Sequence, residues 1–294
     1  MPNTHTELVA QLNAISNAQP FTVSWYFKNL KTGEEADRAG DVVTPSASSR
    51  KIAYLMAALR EVHAGRMDLA EKVTVTAELQ EGAVSGVLYF MTPGLTFPLR
   101  DALMQMIITS DNTCTTLVGE RITLPVLNEF IQSVGMKGTL VRHIVPPRDM
   151  PHDADFDFVG QTTPNDQGRL LQMILDGSTD TAAATRLGVT PELCRLALQI
   201  LCWQRLRNSI PALLPTNTQV ANKTGTGKNG LMDAGIVYRD GKADFIITTS
   251  THHVPWTLAD GMPGHQAAAH AMARLARACW DHMSANQPAQ KASP

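Results

Sequence analysis

Pro45-Ser46-Ala47-Ser48-Ser49-Arg50-Lys51-Ile52-Ala53-Tyr54-Leu55-Met56-Ala57-Ala58-Leu59 sets a hydroxyl and an amine three residues apart at the head of an apolar run. On a helix, residues three apart share a face, so Ser48 and Lys51 stand together. The run after Lys51 is apolar nearly all round, the pattern of a helix buried on every side. A serine hydroxyl is a weak nucleophile at neutral pH. A lysine amine can take its proton only when burial or a neighbouring cation depresses the lysine pKa. The same helix aims its free amides and positive dipole end at Ser48, where an oxyanion would form. Ser-x-x-Lys also arises by chance in ordinary helices, so the pattern needs a context before it means chemistry.

The chain around it has 294 residues and 44% hydrophobic content, enough for one large domain or two intimately packed ones. A net charge of -2 with no basic stripe gives no support to a nucleic-acid partner. The first residues lack the basic start and apolar centre of a signal peptide, and no segment approaches the roughly 18 apolar residues of a membrane span. The expectation is a cytoplasmic protein without a membrane segment, although a trimmed secreted chain would read the same. Cys114, Cys194, Cys202 and Cys279 form no Cys-x-x-Cys pair and no metal-like spacing with histidine. They read as reduced thiols; no metal and no cofactor is expected.

Leu8, Val9, Leu12 and Ile15 mark an opening helix over 6–18, and residues 21–27 a strand that turns at 29–33. Residues 72–75 read as a short extended piece, and 81–96 as loop. Leu99, Leu103, Met106 and Ile107 mark a helix from Pro98. It breaks at Ser110-Asp111-Asn112, and another helix starts at once. Those three polar residues read either as a helix N-cap or as groups lining a cleft. Residues 145–164 are proline-rich and aperiodic, with Asp149, Asp153, Asp155 and Asp157; long irregular loops inside a compact fold are often functional. Helices resume over 166–175 and 191–206. Residues 218–225, 232–238 and 243–251 then read as a three-stranded meander, followed by a helix over 264–282.

The order predicts an α+β fold, with an antiparallel sheet flanked by N- and C-terminal helices and an inserted all-helical domain. In this reading residues 1–46 and 212–294 form the sheet domain, 47–211 the helical insert, and 285–294 a disordered tail. The cleft between the domains is a natural small-molecule site, and Ser48 falls at its junction.

Three motifs now stand in one order: Ser48-x-x-Lys51, Ser110-Asp111-Asn112 and Lys223-Thr224-Gly225. This triple resembles the class A β-lactamases and penicillin-binding proteins, class A most closely. Thr162-Thr163-Pro164, Trp203, Arg207-Asn208, Leu214-Pro215 and Asp233-Ala-Gly-Ile-Val-Tyr238 fit the same resemblance, which covers roughly 20–284. The resemblance implies Ser48 as the acylated nucleophile, Lys51 as its proton partner, and Ser110 as a relay to the leaving nitrogen. It implies that Asn112 binds the substrate amide, that Lys223, Thr224 and Gly225 form a carboxylate site, and that the amides of Ser48 and Thr226 hold the oxyanion.

Two departures stand out. Class A enzymes carry an omega-loop glutamate that activates the deacylating water; its place here falls near Val145, and no glutamate occurs from 130 to 191. His143, Asp149, His152, Asp153 and Asp155 are the candidate stand-ins, each also readable as a solvated loop residue. Arg50 replaces an apolar residue beside the lysine. Two functions follow: a serine acyl-hydrolase of an amide, lactam or ester carrying a carboxylate, or an acylating or ligand-binding protein with negligible turnover. The oligomeric state is left open by the sequence.

Overall fold

The computed structural model describes residues 4–82, 84–151 and 157–286. The chain opens with α1 (His5–Asn17), closed at its start by a capping box. Thr4 Oγ1 accepts from the Glu7 N–H at 3.2 Å, and the Glu7 carboxylate accepts from the Thr4 N–H at 2.7 Å. β1 (Thr22–Asn29) and β2 (Glu35–Arg38) form the first hairpin, its turn held by the Asn29 carboxamide accepting from the Lys31 and Thr32 N–H groups. β3 (Thr44–Pro45) leads into a 3-10 turn, Ala47–Arg50, and then α2 (Lys51–His63). β4 (Lys72–Thr74), α3 (Ala77–Gln80) and β5 (Thr96–Pro98) precede α4 (Leu99–Ile108), α5 (Asn112–Ile122) and α6 (Leu124–Ser133). β6 (Leu140–Val141) and β7 (Gly160–Thr162) flank the irregular stretch, and α7 (Pro164–Gly177), α8 (Thr181–Leu187) and α9 (Pro191–Cys202) follow. The last third is β8 (Val220–Gly227), β9 (Gly230–Arg239), β10 (Lys242–His252) and α10 (Gly264–Ala285).

The five long strands make one antiparallel sheet in the order β2-β1-β10-β9-β8. β1 and β10 come from opposite ends of the chain and pair with Trp25 opposite Thr249 and Phe27 opposite Ile247. Strand alternation then sorts side chains between two cores. Val23, Trp25, Phe27, Phe245 and Ile247 join Leu8 and Leu12 of α1 and Leu275 and Cys279 of α10. Tyr26, Ile236 and Ile246 face the other way, into the helical half. With both faces covered, the inner strands are apolar or small almost throughout, as burial on two sides demands.

α2 is the axis of the helical half. Every side chain from Ile52 to Leu59 is fully buried, and the helix packs against α4, α5, α6 and α9. Its alanines let those neighbours approach closely; Leu55→Ala here would cost about 2–5 kcal/mol. The same burial carries Lys51, at the first residue of α2, out of water.

The α+β architecture is as the sequence predicts, with local differences. Ser48 lies in the 3-10 turn rather than within the α-helix, because Ala47 turns the chain sharply just before it. α6 and α8 were not foreseen; both are short, and their apolar faces are completed by tertiary neighbours, α2 and α5 for α6, and α7 and α9 for α8. α9 stops at Cys202, before the expected 206, because the Arg205 N–H turns to bond the Ile108 carbonyl at 3.1 Å. α10 runs to Ala285, so it takes in the first residue of the segment read as a tail; residues 287–294 lie outside the described residues. Among the described residues no helix is long and apolar enough to cross a membrane.

Candidate active site

Ser48 stands where β3 gives way to the 3-10 turn. Ala47 just before it holds φ at +40°, a conformation that costs an L-residue on the order of 1–2 kcal/mol and commonly persists where function requires it. The first hydrogen bond of the turn runs from the Ser49 N–H to the Ser46 carbonyl at 3.0 Å. The Ser48 N–H precedes it and has no acceptor among the described residues, as expected in the first turn of a helix. Gly225 of β8 lies against this amide: a Cβ there would stand 3.1 Å from Ser48 N, Ser49 N and Ala47 Cβ. Glycine is what lets the strand approach Ser48. β8 is an edge of the sheet, and Thr226, the next residue along it, is exposed.

Lys51 is fully buried, and its amine is tied to the break between α4 and α5. Nζ lies 2.8 Å from the Ser110 carbonyl, 2.7 Å from Asn112 Oδ1 and 3.3 Å from Ser110 Oγ. No hydrogen bond joins it to Ser48 Oγ among the described residues. Lys223, equally buried, arrives from β8 with Nζ 3.1 Å from Ser110 Oγ and 2.6 Å from the Thr224 carbonyl. The Ser110 hydroxyl therefore sits between two amines.

The break is rigidly built. Ser110 adopts φ +57°, and Asp111 caps α5 by accepting the Cys114 N–H at 3.0 Å. The other oxygen of Asp111, which is fully buried, accepts the Val87 and Leu88 N–H groups, each at 2.8 Å. Ser85 donates its hydroxyl to the Ser110 carbonyl at 3.0 Å, and its own carbonyl accepts the Asn112 N–H at 2.8 Å. The stretch from Ser85 to Leu88 is thus pinned to the Ser110 turn.

Burial drives the lysine amines toward neutrality. Lys51 falls well below the ordinary lysine range through desolvation, then through repulsion by Lys223 and Arg50, with Asp111 opposing. Lys223 is lowered to about 7 by burial, and Asp233 opposes the shift. Asp233 is itself buried and raised to about 6; the Asn222 carboxamide at 2.9 Å and the Ile210 N–H at 3.1 Å hold it in place.

Ser48, Lys51, Ser110, Asn112, Lys223, Thr224, Gly225 and Thr226 come from three separated segments and converge around this point. Of the proposed stand-ins for the glutamate, only His143 and Asp149 lie among the described residues, and no hydrogen bond joins either to these groups there. His143 stacks flat on Phe158, with centroids 4.8 Å apart and an interplanar angle of 8°, and Asp149 is exposed. His152, Asp153 and Asp155 lie outside the described residues. The loop they belong to is closed at its base by Arg142, which pairs with Asp157 at 3.0 Å and with Gln161 Oε1 at 3.0 Å. Asp111, Asp233 and Ser85 are the supporting residues that the motif reading left without roles; for Asp111 the N-cap signal was present in the sequence.

Arg50, buried beside Lys51, donates to the carbonyls of Ala47 and, at 3.1 Å, of Ile144. It lines a cavity of about 320 Å³ together with Ala47, Pro146, Met150, Thr226 and Lys228. Among the described residues no cluster of histidine, cysteine, aspartate or glutamate could hold a metal ion.

The sequence matches the model of the Beta-lactamase enzyme family over residues 7–283. Its fold is similar to that of a β-lactamase from Sphaerobacter thermophilus DSM 20745, with a TM-score of 0.80, 23% identity, and coverage of 97% of this chain and 100% of that one. It is also similar to PBP-A, with a TM-score of 0.79, 24% identity, and coverage of 97% and 98%. An ancestral class A β-lactamase matches with a TM-score of 0.78 and 20% identity, over 93% of this chain and 99% of that one. No curated protein matches the sequence significantly.

Proposed function

The chain belongs to the beta-lactamase enzyme family, and from that premise we propose that it is a serine hydrolase that opens an amide, lactam or ester bond through an acyl-Ser48 intermediate. The observation that carries this reading is the Ser110 hydroxyl held between two buried amines, Lys51 at 3.3 Å and Lys223 at 3.1 Å, beside a serine whose own N–H has no acceptor among the described residues. A neutral Lys51 would donate its two N–H bonds to the Ser110 carbonyl and Asn112 Oδ1 and accept the Ser110 O–H on its lone pair.

In the acylation step Ser48 Oγ bonds to the substrate carbonyl carbon while its proton passes to the Lys51 amine. The oxyanion is held by the N–H groups of Ser48 and Thr226. When the C–N bond breaks, the leaving nitrogen takes the Ser110 proton, which Lys51 replaces. The Lys223 ammonium, with the Thr224 hydroxyl, holds a carboxylate on the leaving half, and Asn112 orients the substrate amide. Small carboxylated amides or lactams are therefore the proposed substrates.

Release of the acyl group needs an activated water. Among the described residues no carboxylate hydrogen-bonds Lys51, so the amine itself is left as the base. The same observation favours a second reading, in which the protein acylates readily and turns over negligibly. Wild type and Ser48→Ala, incubated with a penicillin and a panel of amides and esters, separate the two by intact mass and turnover. A Ser48 adduct with turnover supports the hydrolase, and an adduct without turnover of any compound supports the second reading. Equal hydrolysis by Ser48→Ala and wild type would remove Ser48 from the mechanism.

A further inference from the structure

Acyl transfer gives Arg50 no task, yet Arg50 is the costliest residue of its turn to place. It is 2% exposed, its Nε has no acceptor, and no carboxylate pairs with it among the described residues. Its partners are the neutral carbonyls of Ala47 and Ile144 and the Tyr54 hydroxyl. A guanidinium has five N–H donors, and the buried Nε is one that finds no acceptor among the described residues. Carbonyl dipoles do not neutralise a buried cation, and one left without counter-charge is strongly unfavourable. Residues that keep such a cost commonly serve a ligand.

The cavity that Arg50 lines is where that ligand would sit. Its volume, about 320 Å³, is that of a small-molecule pocket, and Lys228 adds a second positive charge to its wall. Its position assigns it to one half of the substrate. It opens beside Ala47, the neighbour of Ser48, and Thr226, which carries the other proposed oxyanion amide, and it is bounded by Pro146 and Met150 of the loop after Ile144. Ser110, Asn112, Lys223 and Thr224 take no part in its lining. Because the leaving nitrogen lies with Ser110, the cavity receives the acyl half.

We propose that this cavity binds a carboxylate on the acyl half of the substrate through Arg50, so that the natural substrate carries a carboxylate on each side of the scissile bond. The chemical class is an amino acid N-acylated by a dicarboxylic acid, or its cyclic counterpart. The assignment of halves rests on the acyl-Ser48 reading; the pocket itself does not depend on turnover. Arg50 is then a specificity residue, and its counter-charge arrives with the substrate.

The test is binding, measured by calorimetry at pH 6 on full-length Ser48→Ala. N-succinylglycine and N-butyrylglycine differ by a carboxylate in place of a methyl group. The succinyl compound should bind at least tenfold more tightly, and the neutral N-succinamoylglycine should bind like the butyryl one. In Ser48→Ala/Arg50→Gln the preference should fall to about twofold or less, with the butyryl affinity unchanged. A ratio near one in Ser48→Ala, an undiminished ratio in the double variant, or no measurable binding of either compound overturns the proposal. If Arg50→Gln fails to fold, the neutral succinamoyl ligand decides: binding as tight as the succinyl compound shows that charge is not read, and refutes the pocket. Acylation of the wild type is followed separately by mass. A retained ratio without any Ser48 adduct would keep the pocket and remove the hydrolase reading, whereas adducts with a ratio of one would do the reverse.

Discussion

Lys223→Met should stabilise the protein while destroying its hold on carboxylated substrates. The Lys223 amine is fully buried, and its pKa lies at about 7 against an ordinary 10.5. Between those two values the unfolded chain binds a proton that the native chain does not, so wild-type stability rises with pH across that window. Below pH 7 both states are protonated and the native state bears the whole penalty. At about 1.4 kcal/mol per pH unit, that penalty is about 5 kcal/mol at pH 6 and about 1.5 kcal/mol at pH 9.5.

Methionine removes the penalty and forfeits two hydrogen bonds, to Ser110 Oγ and the Thr224 carbonyl, worth about 1 kcal/mol each at any pH. The variant should therefore be more stable than wild type by about 3 kcal/mol at pH 6 and about equal at pH 9.5. Urea unfolding followed by tryptophan fluorescence at both pH values reads this as a shrinking gap in midpoint. A gap independent of pH, or one that widens as pH rises, would show that burial does not penalise the Lys223 ammonium.

Gly225→Ala forces a Cβ to 3.1 Å from the Ser48 and Ser49 nitrogens, so the edge strand must retreat from the nucleophile. Acylation measured by intact mass should slow by about 100-fold with the fold intact, and an unchanged rate would contradict the close approach. Asp111→Ala strips the cap of α5 and leaves the Val87 and Leu88 amides without acceptors, which should cost about 3 kcal/mol in urea unfolding and expose 85–91 to proteases. Asp233→Asn removes the negative charge that sustains the Lys223 ammonium. The pH at which kcat/KM for a carboxylated substrate declines on the alkaline side should move down from about 7, and a limb that stays in place would separate Lys223 from carboxylate binding.

Much of the fold and the reacting groups was legible in residues close in sequence. The apolar run after Lys51 and the 218–251 meander show their periodicity locally, so α2 and three of the five long strands could be read from it. The capping preference of Asp111 was equally visible, although its grip on Val87 and Leu88 was not. For the loop after Val141 polarity and charge do not say where a side chain goes: His143, readable as a stand-in for the glutamate or as a solvated loop residue, stacks on Phe158.

By itself, then, the sequence determined the element order, which follows from local periodicity, and its resemblance to a known family singled out Ser48, Lys51, Ser110 and Lys223 as candidates. Only the tertiary structure decided that Lys51 and Lys223 meet on one hydroxyl, across separations of 59 and 113 residues, and that both are stripped of water there. It also decided that Arg50 is sealed in without a counter-charge beside an open cavity. A pKa or an unpaired cation is a property of the dielectric and the neighbours around a group, and those exist only once β1 has paired with β10 and α2 has been enclosed.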